Sequence, residues 1–398
     1  MSLGCHDAGV PHDRELDLVL FGATGFTGGL TAEYLTRQGP DDLRWALAGR
    51  SLDKLTRVRD DLAEGGADVA DVELIVADSA DPVGLADLAA RTKVVASTVG
   101  PYVGRGEPLV GACADAGTDY CDITGEGEFV DRMYVAHHAT AALNGARLVH
   151  GCGFDSIPHD LGAMFTVEHL PADVPIDLRG VVRAGGLPSG GTFETTLTGL
   201  SRVRQIRDAA QARRRVEPKP AGRSSRAVSG KPHRDGVLGY WLLPLPTMDP
   251  AIVARSGAAL PSYGPKFRYS HYAGTKTLPY AVGGAAVMAG LGLAAQLKPT
   301  RELLMKWYPA GDGPDPERRE RSWFTVDFVG EAGGETVRTR VSGGDPGYTE
   351  TAMMLAESSL CLALDDNPDV AGQVTTAQAM GANLLARVQA GGLRFEVR

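Results

Sequence analysis

The stretch that most restricts the fold of this chain is LVLFGATGFTGGLTAEYL, Leu18 to Leu35. An aliphatic run meets Gly22, Gly25 and Gly28, then continues with Leu30, Tyr34 and Leu35 at helical spacing. The first glycine permits a tight turn out of a buried strand. The second lets backbone N–H groups approach a pyrophosphate, and the third lets helix and strand pack closely. Phosphates then sit at a helix N-terminus, where unpaired donors and the macrodipole favour negative charge. The segment Gly22, Ala23, Thr24, Gly25, Phe26, Thr27 and Gly28 is therefore read as a phosphate-binding turn. A merely structural glycine turn is the competing reading.

The order of the next elements supports the phosphate turn. A second strand, Arg44 to Arg50, leads into a helix from Leu52 to about Ala63, capped by Ser51. A third strand ends at Asp78, a helix runs from Pro82 to Ala90, and KVVASTVG is a fourth strand. A helix over Glu107–Ala116 then precedes DYCDITG. Strands alternating with helices imply right-handed crossovers and a parallel sheet. The fold class expected is α/β: an N-terminal Rossmann doubly wound parallel sheet over 14–150, plus a second α+β domain over 151–348. In that second part, strands at Ile176–Arg183, Ser322–Gly330 and Glu335–Gly344 suit a mixed or antiparallel sheet. Residues 349–398 are expected to form a helical segment that packs back on the first domain. Residues 1–13 lack an apolar signal core and read as a disordered or vector-derived lead-in.

The end of the second strand selects the cofactor. An NAD domain usually places a carboxylate there for the ribose 2′-hydroxyl. This chain has Arg50 and Ser51, which offer charge-assisted bonds to a 2′-phosphate, so NADP(H) is expected. Arg50 as a plain surface cation is the alternative. Asp78 is placed beside the adenine, with Ser79 assisting. Ser97, Thr98, Val99 and Gly100 close the fourth strand, where the nicotinamide ribose passes. Pro101 and Tyr102 then turn the chain over the crevice.

Composition excludes some classes. A net charge of −9 argues against general nucleic-acid binding. Five scattered cysteines without a CxxC pair suit free thiols in a reducing, cytoplasmic setting. Nine Arg and Lys against two acidic residues between Arg202 and Arg226 read as a solvated face, or as a docking patch for an acidic carrier or anionic lipid. The uncharged segment 277–296 has the length of a bilayer span but is rich in Gly and Ala. A buried helix or lipid-facing wall, an interfacial membrane contact and a true span all stay open. His137 and His138 have no companions for a metal site, and no nucleophile elbow is present.

GATGFTG, AGR, STVGPY, YCDITGE and GFDSIP occur in that order, and GGDPGYTETAMMLAES comes near the C-terminus. With these motifs the chain resembles the saccharopine dehydrogenase-like oxidoreductases, in the branch that includes the mycobacterial trans-acting enoyl reductases. The resemblance implies NADPH-dependent reduction of an α,β-unsaturated acyl thioester in glycolipid or polyketide biosynthesis. It implies hydride delivery to the β-carbon and protonation at the α-carbon, the acyl chain being presented on a polyketide synthase carrier domain or CoA. Two alternatives are a saccharopine-type reductase acting on an amino-acid or imine substrate, and a non-catalytic NADP-binding, lipid-associated protein. A homodimer and a peripheral contact with the cytoplasmic membrane are further expectations.

Hydride transfer asks the protein for placement, exclusion of water and a proton donor. Tyr102 is the candidate donor by location, with packing over the cofactor as its alternative. Asp122, Thr124 and Glu126 lie at the end of the next strand, where ligands of open α/β sheets gather. Gly151, Gly153, Phe154 and Asp155 are candidates to line the nicotinamide pocket. His159 is a candidate acid, with a capping or surface position as its alternative. Thr192, in SGGTFET (Ser189 to Thr195), marks a helix N-terminus facing the substrate, or simply a cap.

Overall fold

The computed structural model describes residues 14–185, 190–307 and 313–398. The expected lead-in, 1–13, lies outside the described residues.

The first six strands are β1 (Leu16–Phe21), β2 (Trp45–Gly49), β3 (Glu73–Val76), β4 (Thr92–Ser97), β5 (Asp119–Asp122) and β6 (Arg147–Val149). All pair in parallel, in the order β6-β5-β4-β1-β2-β3, so the direction of winding reverses between β1 and β4. Every residue of β1 is buried, as a strand covered by helices on both faces requires. Leu18 and Leu20 join one apolar cluster, and Val19 and Phe21 join another on the opposite face.

The second sheet is mixed. It contains β7 (Ile176–Gly185), β8 (Ser224–Ala227), β9 (His233–Arg234), β10 (Trp241–Pro244), β11 (Lys266–Thr275), β12 (Trp323–Ala332) and β13 (Glu335–Gly343). β7 and β8 run parallel to β11, whereas β12 pairs antiparallel to β7 and β13. Sequence reading finds β7, β12 and β13 but not β8 to β11. Those four are short or interrupted by polar residues, and most of their pairing partners are distant in the chain.

The C-terminal part serves both sheets. Helix Thr349–Leu364 is buried along most of its length and packs against helix Phe26–Gln38, where the Tyr34 hydroxyl donates to Glu357 at 2.8 Å. The segment is not wholly helical, however. β14 (Gly372–Val374) adds to the first sheet beside β6, and β15 (Arg394–Val397) adds to the second beside β13. One continuous apolar core runs from Leu18 and Leu20 through Met354 and Leu355 to Phe324 and Phe328. The two sheets are thus welded by a shared interior.

The uncharged segment forms helix Leu278–Gln296, in which only Ala281 and Ala295 are buried. It is not a buried wall of the second domain.

Candidate active site

The glycine turn has the geometry that a phosphate cradle needs. Gly22 has φ +96°, and its amide donates to the Ala48 carbonyl at 2.8 Å, so the chain turns sharply out of β1. A Cβ at Gly28 would lie 2.2 Å from the Gly22 carbonyl oxygen, so only glycine lets the helix start this close to the strand. Helix Phe26–Gln38 begins at Gly25 without any side-chain cap, leaving its first N–H groups free for an anion. Thr24 and Gly25, at the crest, are exposed. Ala23 is buried beneath them, and Phe26 leans edge-on against Tyr348 at 5.0 Å. The Thr27 carbonyl accepts from Thr31 inside the helix.

The neighbouring strand ends complete the crevice. Arg50 is exposed at the end of β2, and among the described residues no hydrogen bond or ion pair engages its guanidinium. Ser51 caps the next helix, accepting from the Lys54 amide at 3.4 Å. Asp78 is exposed and accepts from the Ala80 amide at 2.9 Å, with Ser79 half-buried beside it. Thr98 donates to the Gly22 carbonyl at 3.0 Å, tying the ends of β1 and β4 together at the switch point. Ser97 is buried, Val99 is half-buried, and Gly100 and Pro101 are exposed on the crevice edge. A bare turn, an uncapped helix and an unpaired cation fit a dinucleotide carrying a 2′-phosphate.

Two expected reactive groups turn out to be structural. Tyr102 is buried, and its hydroxyl donates to the Ser97 carbonyl at 2.9 Å while its ring lies 5.6 Å from Phe129. Burial pushes its phenol well above the usual range, with Asp122 adding to the effect. A proton donor cannot work from inside the core, so Tyr102 is the packing residue. Asp122 is fully buried as well. It accepts from His150 Nδ1 at 2.7 Å, the Gly151 amide at 3.0 Å and the Thr124 amide at 3.1 Å. These bonds fix the turns after β5 and β6 and leave no carboxylate for a substrate. Glu126 acts similarly, accepting from the amides of Tyr102 at 2.9 Å and Val103 at 2.8 Å and so bracing the loop after β4. Thr124 is buried and accepts from the Glu126 amide at 3.1 Å.

Asp155 is different. It stands in the turn after β6, half-buried, and no hydrogen bond engages its carboxyl among the described residues. A Cβ at Gly125 would lie 2.6 Å from Asp155 Oδ2 and 3.4 Å from Thr195. The carboxyl therefore rests over the loop after β5, at the strand-end edge that carries the phosphate turn. Burial raises its pKa to about 7, with the charge of Asp249 adding and His159 opposing. Gly153 is buried against Thr351, whose hydroxyl accepts from the Phe154 amide at 3.2 Å. The Phe154 ring packs between His159 and Phe324, 5.4 Å and 4.9 Å away, and walls the same space.

Behind Asp155 lies a buried polar cluster. His159 is not a surface cap: it is 2% exposed, with Nδ1 3.0 Å from Asp249 Oδ1. The ring is turned so that neither nitrogen makes a well-aligned hydrogen bond. Burial alone would raise Asp249, but His159 and His271 hold it below the ordinary carboxylate value. Burial drives His271 down to about 3, and its Nδ1 lies 3.0 Å from the Tyr269 hydroxyl. The ligand atoms of His159, Asp249 and His271 lie within 4.8 Å of one another, close enough to hold one metal ion. Sequence reading, which expected no metal set, missed this grouping. Its members come from three separate elements and share no local spacing. Thr192 falls in helix Gly190–Ser201, but its side chain lies outside the described residues.

Fold and crevice together define an NADP-dependent oxidoreductase of the Rossmann class. The saccharopine dehydrogenase NADP binding domain matches residues 18–149. A candidate trans-acting enoyl reductase of Mycobacterium tuberculosis is 39% identical, over 96% of this chain and 97% of that protein. Trans-acting enoyl reductases of Mycobacterium bovis and Mycobacterium ulcerans are 36% and 34% identical, each over 96% of this chain and over 98% and 97% of those proteins. The glutamate-forming saccharopine dehydrogenase of Saccharomyces cerevisiae shares the fold, with a TM-score of 0.55 at 13% identity over 96% of this chain and 99% of that one. The chain belongs to the saccharopine dehydrogenase-like oxidoreductases, in the branch of the trans-acting enoyl reductases.

Proposed function

We propose that this protein is an NADPH-dependent reductase of α,β-unsaturated acyl thioesters. In this reading it acts in trans, in the cytoplasm, on an acyl chain carried by a polyketide synthase carrier domain or CoA during lipid or polyketide synthesis. The observation that carries the reading is Asp155, a carboxyl without a partner at the strand-end edge, beside a carboxylate held ionised. Two carboxyls whose environments push their pKa values apart are the usual sign of an acid kept protonated for proton transfer. The names of the relatives supply the substrate class.

NADPH, when bound, supplies the hydride that adds to the β-carbon of the enoyl group. The chain's own residues do the rest. The amides after β1 and the Arg50 guanidinium hold the dinucleotide by its phosphates. Phe154 and Phe324 exclude water from the reacting end. Asp155 gives its proton to the α-carbon and regains one from solvent, while Asp249 keeps its negative charge behind it. The product is the saturated thioester.

An amino-diacid substrate, as in saccharopine metabolism, needs cations for its carboxylates. The groups against Asp155 are instead Asp249, His159 and Thr195, with no arginine or lysine among them. This disfavours that alternative.

The test is oxidation of NADPH by enoyl-pantetheine or enoyl-carrier thioesters of increasing chain length, with glutamate plus an aldehyde run in parallel. Turnover on the thioesters is expected. Turnover only with the amino acid, or NADPH binding with no turnover on any substrate, overturns the proposal.

A further inference from the structure

Among the described residues, one helix presents an unusually apolar surface. Helix Leu278–Gln296 is 19 residues long without a charge, has a mean hydropathy of 1.6 over its most apolar window, and is only 11% buried there. Tyr280 and Leu293 are each 75% exposed, and Val282 and Val287 are also open to solvent. At 100° per residue, Leu278, Val282 and Leu293 fall on one side, and Tyr280 and Val287 fall roughly opposite. Ala281 and Ala295 mark the narrow strip that touches the protein. Apolar side chains therefore cover more than half of the circumference. Soluble surfaces rarely leave so much contiguous apolar area uncovered unless something binds there.

The helix lies along its domain rather than projecting from it. A Cβ at Gly284 would be 3.9 Å from Leu243, and one at Gly292 would be 4.0 Å from Leu200. Gln296 donates to the Leu200 carbonyl at 2.7 Å. Both halves are thus fastened to the same body, which is incompatible with crossing a bilayer and compatible with lying flat in its interface. Cations frame the greasy surface. Lys276 and Lys298 flank the helix and are exposed, and no acidic residue lies between them. Beside Leu200, at the C-terminal end, helix Val203–Val216 begins and carries exposed Arg204, Arg207, Arg214 and Arg215. Of the run's other cations, Arg202 and Arg213 are tied to Glu128 and Asp131, and Arg223 bonds backbone carbonyls of Gly257 and Leu260. Lys219 and Arg226 are exposed as well, and the run's cations that follow Leu200 most closely in the chain and face outward are Arg204, 3.9 Å from Asp208, and Arg207.

We propose that helix Leu278–Gln296 is a monotopic anchor that sinks into the headgroup and acyl boundary of an anionic lipid bilayer. The arginines of helix Val203–Val216 contact lipid phosphates beside it. A second copy of the chain would cover one strip of the helix, whereas a bilayer covers the whole free arc. The flanking cations match anionic headgroups and would oppose like cations on another copy. This inference is independent of the proposed reaction, since binding to vesicles needs no turnover.

The test is flotation of the full chain with vesicles of phosphatidylcholine alone and of phosphatidylcholine mixed with phosphatidylglycerol. Wild-type protein is expected to float, more with the anionic lipid and less at high salt. The triple variant Val282→Asp/Val287→Asp/Leu293→Asp is expected to lose at least about tenfold in bound fraction, with NADPH affinity unchanged. Should that variant misfold, Val287→Cys carrying a polarity-sensitive dye reports the same event, with a blue shift expected on adding anionic vesicles. Absence of flotation and of any shift overturns the proposal. So does a wild-type dimer that the triple variant converts to monomer, because a second copy would then be the occupant.

Discussion

Asp155 and Asp249 titrate in opposite directions within one interdomain cluster: the first is raised to about 7 and the second is held below the ordinary carboxylate value. Burial acts upward on both, so the difference comes from their neighbours. Asp249 sits against His159 and His271, whereas Asp155 faces the charge of Asp249. One carboxyl stores negative charge and the other stores a proton.

Asp155→Asn should lower kcat for enoyl reduction about 10²- to 10⁴-fold while leaving NADPH affinity near wild type. An acid must be protonated to act, so the wild-type rate should fall as pH rises through about 7, and the variant should lose that limb. The sign for stability agrees. A pKa raised on folding contributes stability at low pH that is lost as pH rises through the folded value. Asp155→Asn should therefore gain stability relative to wild type between mildly acid and mildly alkaline pH. A pH–rate profile and thermal melts at several pH values check both, and an unchanged kcat would remove Asp155 from the mechanism.

Arg50→Ala should weaken NADPH binding about 10- to 100-fold and leave NADH nearly unaffected, because only the 2′-phosphate meets the guanidinium. Calorimetric titration of both nucleotides measures this. Equal losses for the two would detach Arg50 from the phosphate.

Gly28→Ala and Gly29→Ala form a matched pair in one helix. The new Cβ at position 28 meets the Gly22 carbonyl oxygen at 2.2 Å, while at position 29 nothing lies within 4 Å. The first should cost about 1–3 kcal/mol and disrupt the phosphate turn. The second should be neutral or stabilise by up to about 1 kcal/mol, through helix propensity. Denaturant melts with and without NADPH separate the two.

Tyr102→Phe should keep turnover within about twofold of wild type and cost about 1 kcal/mol of stability, since the hydroxyl serves only the Ser97 carbonyl. A loss of several orders of magnitude in kcat would return Tyr102 to the chemistry.

Asp131→Ala should destabilise by about 3 kcal/mol. Arg213 and Arg255 are buried beside Asp131 and Glu217, and removing one carboxylate leaves an uncompensated buried cation. Asp131→Asn, which retains the shape, should cost less. Chemical denaturation of both variants decides the matter.

The phosphate turn was legible because its chemistry is local. A strand, three glycines and a helix start within a few residues, and Arg50 comes one crossover later. Asp155 was legible as a residue of the crevice, but its function was not. Its pKa depends on Asp249, which enters from helix Asp249–Ala259, and on His159, which is buried against that same carboxylate. The sequence leaves Tyr102 open between proton donor and packing residue for the same reason. Its place after β4 is a local fact, but the direction of its hydroxyl depends on packing against Phe129.

Periodicity and glycine spacing thus determined the doubly wound half of this protein, Arg50 and Ser51 pointed to its cofactor, and the ordered motifs carried the resemblance to its family, since each is written in short stretches of chain. Only the tertiary structure decided which carboxyl keeps a proton, how the C-terminal strands join both sheets, and that helix Leu278–Gln296 is exposed rather than buried. Those outcomes depend on which distant surfaces meet. Burial and charge at a residue are set by neighbours in space, and neither hydropathy nor spacing along the chain encodes them.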